Sequence, residues 1–351
     1  MPLLARICSL RRGQGTRAPG RPSHAAALAG SILLALAAGE AVARGLWHQR
    51  YGVPFFDPGK ILYAVYPELR AVDSARPNHA DQFHDILLLG GSVLHPDWGQ
   101  VEDELRDQLT SRGHRNVRIF NLARPAHSSR DSLLKYASLG SSGFELVVFY
   151  HGINEARTNN VPPDLFRDDY SHYAWYEVAN GLAPYHGSAV FALPFTLTTL
   201  VTWIRQAATK DRYVPRVPRP EWTPFGAEAK SSVPFARNLE AIAAMAAARG
   251  DPLLVMTFAT HMPADYSLRA FEKHRLDYAR HREPIETWGE PHNVLAAVAR
   301  RNDAVRALAA RRSDVSLIDQ ARLMPGSGRY FDDVCHFTRA GSARFVRNWL
   351  D

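Results

Sequence analysis

The sequence predicts a three-layer α/β/α sandwich around a five-stranded parallel sheet. Two observations carry that expectation. Five short apolar runs recur at helix-sized intervals, with amphipathic stretches between and after them, and this alternation builds a doubly wound parallel sheet. The first run, Asp85-Ile86-Leu87-Leu88-Leu89, shows no polar alternation and reads as a strand covered on both faces. A chain of 351 residues has room for two average domains, but a single α/β domain with a large insertion fits equally well and is the reading adopted.

The elements follow in order. The strands are Ile86 to Gly90, Val117 to Leu122, Leu146 to Tyr150, Leu253 to Phe258 and Val315 to Ile318. The helices are Val101 to Arg112, Ser128 to Leu139, Val233 to Arg249 with Gly250 as its C-cap, Pro291 to Arg311, and Thr338 to Leu350. The alternation breaks between Ala156 and Ser232, where Tyr170, Tyr173, Trp175, Tyr176, Trp203 and Trp222 accumulate. That stretch is expected to be an inserted cap over the carboxyl edge of the sheet, where loops carry specificity. Within it, Ser188 to Ile204 is strongly apolar but interrupted by Pro194; it reads as a helix packed under the cap, with a lipid-facing or acyl-binding helix as the alternative. A shorter insertion, Thr260 to Trp288, is expected to bring His261, Met262 and Asp265 to the same edge.

The formal charge is +7, but five arginines (Arg6, Arg11, Arg12, Arg17 and Arg21) precede Ala25, and removing them leaves about +2. That remainder is too small for a phosphate-binding surface, so nucleic acid is not an expected partner. The arginines stand before the uncharged, mostly apolar stretch Ala25 to Ala38, the pattern of an export signal that leaves the downstream chain across the membrane. Extended to Trp47, the stretch is long enough to span. The expected division is a basic segment 1–24, a signal anchor or transmembrane helix 25–47, a linker 48–84, and a folded domain 85–351 carrying the insertion 156–232. The location this implies is the cell inner membrane with the domain in the periplasm. Secretion after cleavage at Ala35-Leu36-Ala37 or Ala41-Val42-Ala43 is the alternative. Two cysteines, Cys8 and Cys335, fall on opposite sides of the apolar stretch, so neither a disulfide nor a cysteine metal site is expected.

Three separated pieces carry chemistry. Gly90-Gly91-Ser92-Val93 follows the first strand, and its glycines let the backbone turn sharply so that a hydroxyl is presented outward. As a fragment it is equally a tight turn or a helix N-cap. Asp333 and His336, three apart before the last helix, are spaced so that a turn sets carboxylate against imidazole. Asp332 either caps the helix or competes for that orienting role, and Cys335 is expected to be packed. Asn154 follows Gly152-Ile153 at the end of the third strand, where its amide can donate to a developing oxyanion or simply close a turn. Glu155 and Arg157 read as ion-pair formers and His151 as a structural histidine.

In these pieces, from about Asp85 to the C-terminus, the chain resembles the SGNH (GDSL-type) hydrolases. Gly90-Gly91-Ser92-Val93 stands where the family has Gly-Asp-Ser-Leu, with Gly91 replacing the aspartate. Gly152-Ile153-Asn154-Glu155 matches Gly-x-Asn-Asp except at its last place, and Asp333 with His336 matches Asp-x-x-His fully. In the second block, Asn121 to Ser128, Ala126 stands nearest the family's oxyanion glycine; a left-handed alanine there costs about 1 to 2 kcal/mol.

The resemblance implies the flavodoxin-like SGNH fold and a serine esterase without metal or organic cofactor. Ser92 would be the nucleophile, His336 the base and Asp333 its orienter, with Ser92, Ala126, Asn154 and Gly152 around the oxyanion. The expected substrates are carboxylic esters, O-acetyl or other short acyl groups on extracytoplasmic glycans or lipids. An O-acyltransferase using the same acyl-serine, and a non-catalytic glycan-binding module, are the alternatives.

Overall fold

The computed structural model describes residues 24–140, 142–214 and 219–351; the basic segment with Cys8 lies outside the described residues. In chain order, helix α1 (His24–Tyr51) leads through a 3-10 turn (Pro58–Ala64) and α2 (Leu69–Ala75) to strand β1 (His84–Gly90). Then follow α3 (Val101–Ser111), β2 (Val117–Asn121), α4 (Ser129–Ser138), β3 (Leu146–Tyr150) and the short α5 (Asn154–Thr158). The insertion contributes α6 (Ala174–Leu182) and α7 (Leu193–Ala208). The sandwich resumes with α8 (Ser232–Arg249), β4 (Leu253–Met256), α9 (Leu268–Glu272), α10 (Pro291–Arg311), β5 (Val315–Ile318), α11 (Gln320–Leu323) and α12 (Arg339–Leu350).

All five strands are parallel, in the order β2-β1-β3-β4-β5. In β1, Leu88 pairs with Asn121 on one side and Val148 on the other. Successive side chains leave a strand on opposite faces, so β1 feeds two cores. Leu87 and Leu89 pack beneath α4 and α8 with Phe149 and Val255, whereas Ile86 and Leu88 pack beneath α3 and α12 with Val148 and Met256. This is the three-layer arrangement expected from the alternation of elements. Strand order reverses between β1 and β3, and in open α/β sheets such a switch point opens a crevice at the carboxyl ends of the strands. Ser92 and Asn154 follow those two strands.

The stretch 48–84 is not a linker. Ile61, Leu62, Tyr66, Leu69 and Val72 are each no more than 1% exposed and join the core beneath α4 and α8. Their spacing of one to four residues presents a single apolar face, and the end of α1 joins them through buried Ala43 and Trp47. Pro194 does not interrupt a helix either: it occupies the first turn of α7, where a missing N–H costs nothing. α7 packs against α6 of the insertion, as expected of a helix under the cap, and also beside α1, with the Trp47 and Phe195 rings 5.6 Å apart.

Candidate active site

Ser92 opens a single 3-10 turn directly after β1, and its side chain is almost fully buried. Its hydroxyl lies 2.8 Å from His336 Nε2, and His336 Nδ1 lies 2.7 Å from Asp333 Oδ2. The carboxylate only accepts, so Nδ1 carries the proton and Nε2 is left to accept from the serine. Asp333 is itself held. Its Oδ1 accepts the backbone N–H groups of Cys335 and His336, each at 2.9 Å, and its Oδ2 also accepts that of Glu283 at 3.1 Å. The three-residue spacing thus closes a tight turn in which one carboxylate fixes both the backbone and the ring.

Asp332 does not compete for the ring. Its N–H donates to the His336 carbonyl at 2.7 Å, its carboxylate faces Arg280 at 3.6 Å, and burial pushes its pKa up. Cys335, Asp333 and His336 offer donor atoms within 4.8 Å of one another, the one group among the described residues with metal-ligand character. Burial pushes the Cys335 thiol well above its ordinary pKa, whereas a metal takes thiolate, and both Asp333 oxygens already accept hydrogen bonds. The donor set therefore suits a hydrogen-bonded turn rather than a cation.

Asn154 sits opposite Ser92 at the start of α5. Trp288 Nε1–H donates to Asn154 Oδ1 at 3.0 Å, while Asn154 Nδ2 donates to the His127 carbonyl at 2.8 Å. An indole can only donate, so it fixes which end of the amide is nitrogen, and Nδ2 retains a second hydrogen. A Cβ built on Gly91 would lie 2.7 Å from this nitrogen. In the second block Ala126 stands at φ +65°, the left-handed conformation weighed for it from the sequence. Gly152 does not line the larger cavity that Ser92 faces, but with Ser92, Asn154 and Phe258 it lines a small pocket behind it, and a Cβ built on Gly152 would run into Phe258 Cβ.

A buried polar network supports the Ala126 loop from below. Lys135 Nζ lies 2.6 Å from Glu68 Oε1 and donates to the Leu122 carbonyl at 2.5 Å; it also meets His127 Nδ1 at 2.7 Å. Tyr66 and Trp175 donate to Asp131 Oδ1 at 3.0 and 3.1 Å, and Asp131 closes a capping box with Ser128. Burial tends to raise the Glu68 pKa, but Lys135 outweighs it and leaves the carboxyl below its usual range; burial holds His127 down at about 4. Glu68 and Tyr66 come from the stretch expected to be a linker.

Ser92 and His336 face a cavity of about 500 Å³ whose other walls include Trp98, Arg157, Glu283 and Trp288. The Trp98 and Trp288 rings lie 4.7 and 6.3 Å from the His336 ring, and Arg282 lies over Trp98 at 4.7 Å. A second cavity of about 460 Å³ shares Ala126, Asn154 and Arg157 with the first and is lined by Tyr173, Trp175 and Tyr176 of the insertion. The cap therefore does reach the sheet edge. Arg157 lies over the Trp288 ring at 5.4 Å, between the two cavities. Glu155 turns inward, fully buried, to accept the Ser129 N–H at 2.5 Å, and His151 is paired with the Ser132 hydroxyl at 2.7 Å. The insertion after β4 contributes its far end, Glu283, Thr287 and Trp288, rather than His261, which is bound near Asp277 and Tyr278. The aromatic count marked the insertions, but no spacing in the sequence singles out Trp98 or Trp288.

The elements define an α/β protein with a hydroxyl, an imidazole and a carboxylate in line at the switch point of its sheet. Among solved structures, the chain is similar to a lipase/acylhydrolase from Enterococcus faecalis, at 14% identity and a TM-score of 0.39 over 76% of this chain and 94% of that one. It is similar also to a GDSL-like lipase from Bacteroides thetaiotaomicron, at 12% identity and a TM-score of 0.41 over 81% and 94%. An acetylxylan esterase from Geobacillus stearothermophilus is similar at 10% identity and a TM-score of 0.41 over 76% and 92%. No family model and no curated protein matches the chain.

Proposed function

We propose that the chain is a serine esterase of the SGNH type, held by α1 at the inner membrane, that hydrolyses short acyl esters on extracytoplasmic glycans or lipids, O-acetyl groups first. The observation that carries this reading is the line of 2.8 and 2.7 Å contacts from Ser92 through His336 to Asp333. Ser92 Oγ attacks the ester carbonyl while its proton passes to His336 Nε2, and Asp333 stabilises the imidazolium that results. The N–H groups of Ser92 and Ala126 and the free hydrogen of Asn154 Nδ2 receive the oxyanion. His336 then returns its proton to the leaving alkoxide, leaving an acyl-serine. Water, deprotonated by the same nitrogen, releases the acid and restores the serine. The two cavities that meet at Ala126 and Asn154 support a substrate with a group on either side of the carbonyl.

Retention of α1 is supported by its last turns. Ala43 and Trp47 are buried in the domain core, and Glu40 accepts the N–H groups of Ala192 and Leu193 at the start of α7. Cleavage after Ala43 would remove that cap. The whole of α1 is long and apolar enough to cross a membrane.

The test is turnover of an O-acetylated oligosaccharide by the full chain, with free acetate and transferred acetyl groups measured together. The proposal expects acetate release that is lost in Ser92→Ala. Predominant transfer to a second glycan would replace hydrolysis with acyl transfer, and turnover undiminished in Ser92→Ala would remove the mechanism.

A further inference from the structure

Arg44 and Glu40, one turn apart on α1, join three segments of the chain. Arg44 Nε meets Glu40 Oε1 at 2.5 Å, Nη1 donates to the Phe55 carbonyl at 3.1 Å and Nη2 to the Val190 carbonyl at 2.6 Å. Glu40 in turn accepts the first N–H groups of α7, and Trp47 Nε1 donates to Thr196 Oγ1 at 2.8 Å. The end of α1, the Phe55-Phe56 loop and the entry to α7 are thereby held as one rigid joint.

Apolar side chains surround this joint and point away from the domain. Phe56 is 91% exposed, Val190 68% and Phe191 60%. From there α7 continues with Leu197, Leu200, Val201 and Ile204, all exposed, at the spacing of one helical face, while Phe195 and Thr199 on its other face are buried. An outward apolar stripe is the reverse of what a helix on a water-soluble surface shows. A crevice of about 650 Å³ lined by Leu33, Leu36, Phe55, Phe56 and Phe191 makes this surface continuous with the outer half of α1. That half carries no charged residue from Ala25 to Gly39, and none of its most apolar window is buried by the rest of the described chain. Lipid covers a spanning helix of this kind, and what continues its apolar surface meets the same lipid.

We infer that Phe56, Val190, Phe191 and the outer stripe of α7 form a second, non-spanning contact with the bilayer that α1 crosses. The contact rests on the retained α1 proposed above. It holds the domain at one height and tilt, so that the site faces ester groups near the membrane surface rather than sweeping freely on a tether.

The test uses the full chain with Cys8→Ser, since Cys335 is buried, and single cysteines introduced by Phe56→Cys, Phe191→Cys and Val201→Cys, each carrying an environment-sensitive fluorophore. Vesicles of phosphatidylethanolamine and phosphatidylglycerol contain nitroxide-labelled acyl chains, and a probe introduced by Arg322→Cys provides the water reference. The inference expects a blue shift at all three positions, with quenching by the nitroxide lipid several-fold stronger than by iodide and the reverse at position 322. The intact mass of the purified chain reports separately whether α1 is retained. Loss of α1 overturns the retained anchor and this contact together, whereas a retained α1 with any of the three probes in water overturns the contact alone. Probes that become dry only as protein concentration rises would assign the face to a second copy of the chain and also overturn it. Ester turnover in micelles is independent of all these readings.

Discussion

The indole N–H of Trp288 donates to Asn154 Oδ1 at 3.0 Å and, with the His127 carbonyl that accepts from Nδ2, holds the amide nitrogen beside Gly91. Trp288→Phe keeps the aromatic bulk but removes the donor. The expected result is a fall in kcat of roughly 10-fold, with KM nearly unchanged, because the lost orientation matters only when charge develops on the carbonyl oxygen. A KM effect with unchanged kcat would assign Trp288 to ground-state binding. Asn154→Ala should cost more, about 100-fold or above, as removal of a whole oxyanion donor does.

Gly91 leaves room for the Asn154 amide. Any side chain there would press on Asn154 Nδ2, which lies 2.7 Å from the Cβ position. Gly91→Asp is therefore expected to lower kcat by about 100-fold while leaving the folded state intact by circular dichroism, since it displaces a donor rather than a core group. Full activity in Gly91→Asp would mean that Asn154 is not an oxyanion donor in this chain.

Glu68 and Lys135 form a buried ion pair beneath the Ala126 loop, and removing one partner leaves the other charge uncompensated. Glu68→Ala is expected to lower unfolding stability by about 3 to 5 kcal/mol. Glu68→Gln, which keeps a hydrogen-bond acceptor for Lys135, should cost less. Urea unfolding followed by intrinsic fluorescence measures both; equal and small losses would show the pair to be dispensable.

Burial holds His127 and His172 down at about 4 and His151 at about 3, against 6.5 for a free imidazole. Each folded value lies below the unfolded one, so between these limits the unfolded chain binds more protons and stability falls as pH falls. The loss begins below about 6.5 and approaches about 1.4 kcal/mol per pH unit for each histidine. The urea midpoint should therefore drop steadily from pH 7 to pH 5, before most carboxylates titrate. A flat profile over that range would contradict neutral burial of these rings.

The layered fold was legible because each strand and sandwich helix carries its own periodic pattern, and β3, α10 and β5 match the expected ranges to the residue. The positions of Ser92, Asn154 and His336 were legible for a related reason: glycines and short spacings at strand ends place side chains locally, and the parallel sheet brings those ends together. What escaped depends on contacts distant in sequence. Tyr66 and Glu68 looked like part of a linker because their partners, Asp131 and Lys135, lie more than sixty residues away. Trp98 and Trp288 act through ring contacts with His336 that no spacing announces. For α7 the sequence left a helix packed under the cap and a lipid-facing helix both open, because periodicity reports a face without saying what covers it.

The central claim is that Ser92 is a nucleophile activated by His336, and covalent labelling tests it most directly. The full chain is treated with a fluorophosphonate, digested, and mapped by mass spectrometry, beside Ser92→Ala and His336→Ala. One phosphonate on the peptide carrying Ser92, absent in Ser92→Ala and strongly slowed in His336→Ala, is the predicted result. Labelling at another serine, or at Ser92 with equal speed in His336→Ala, would contradict the account.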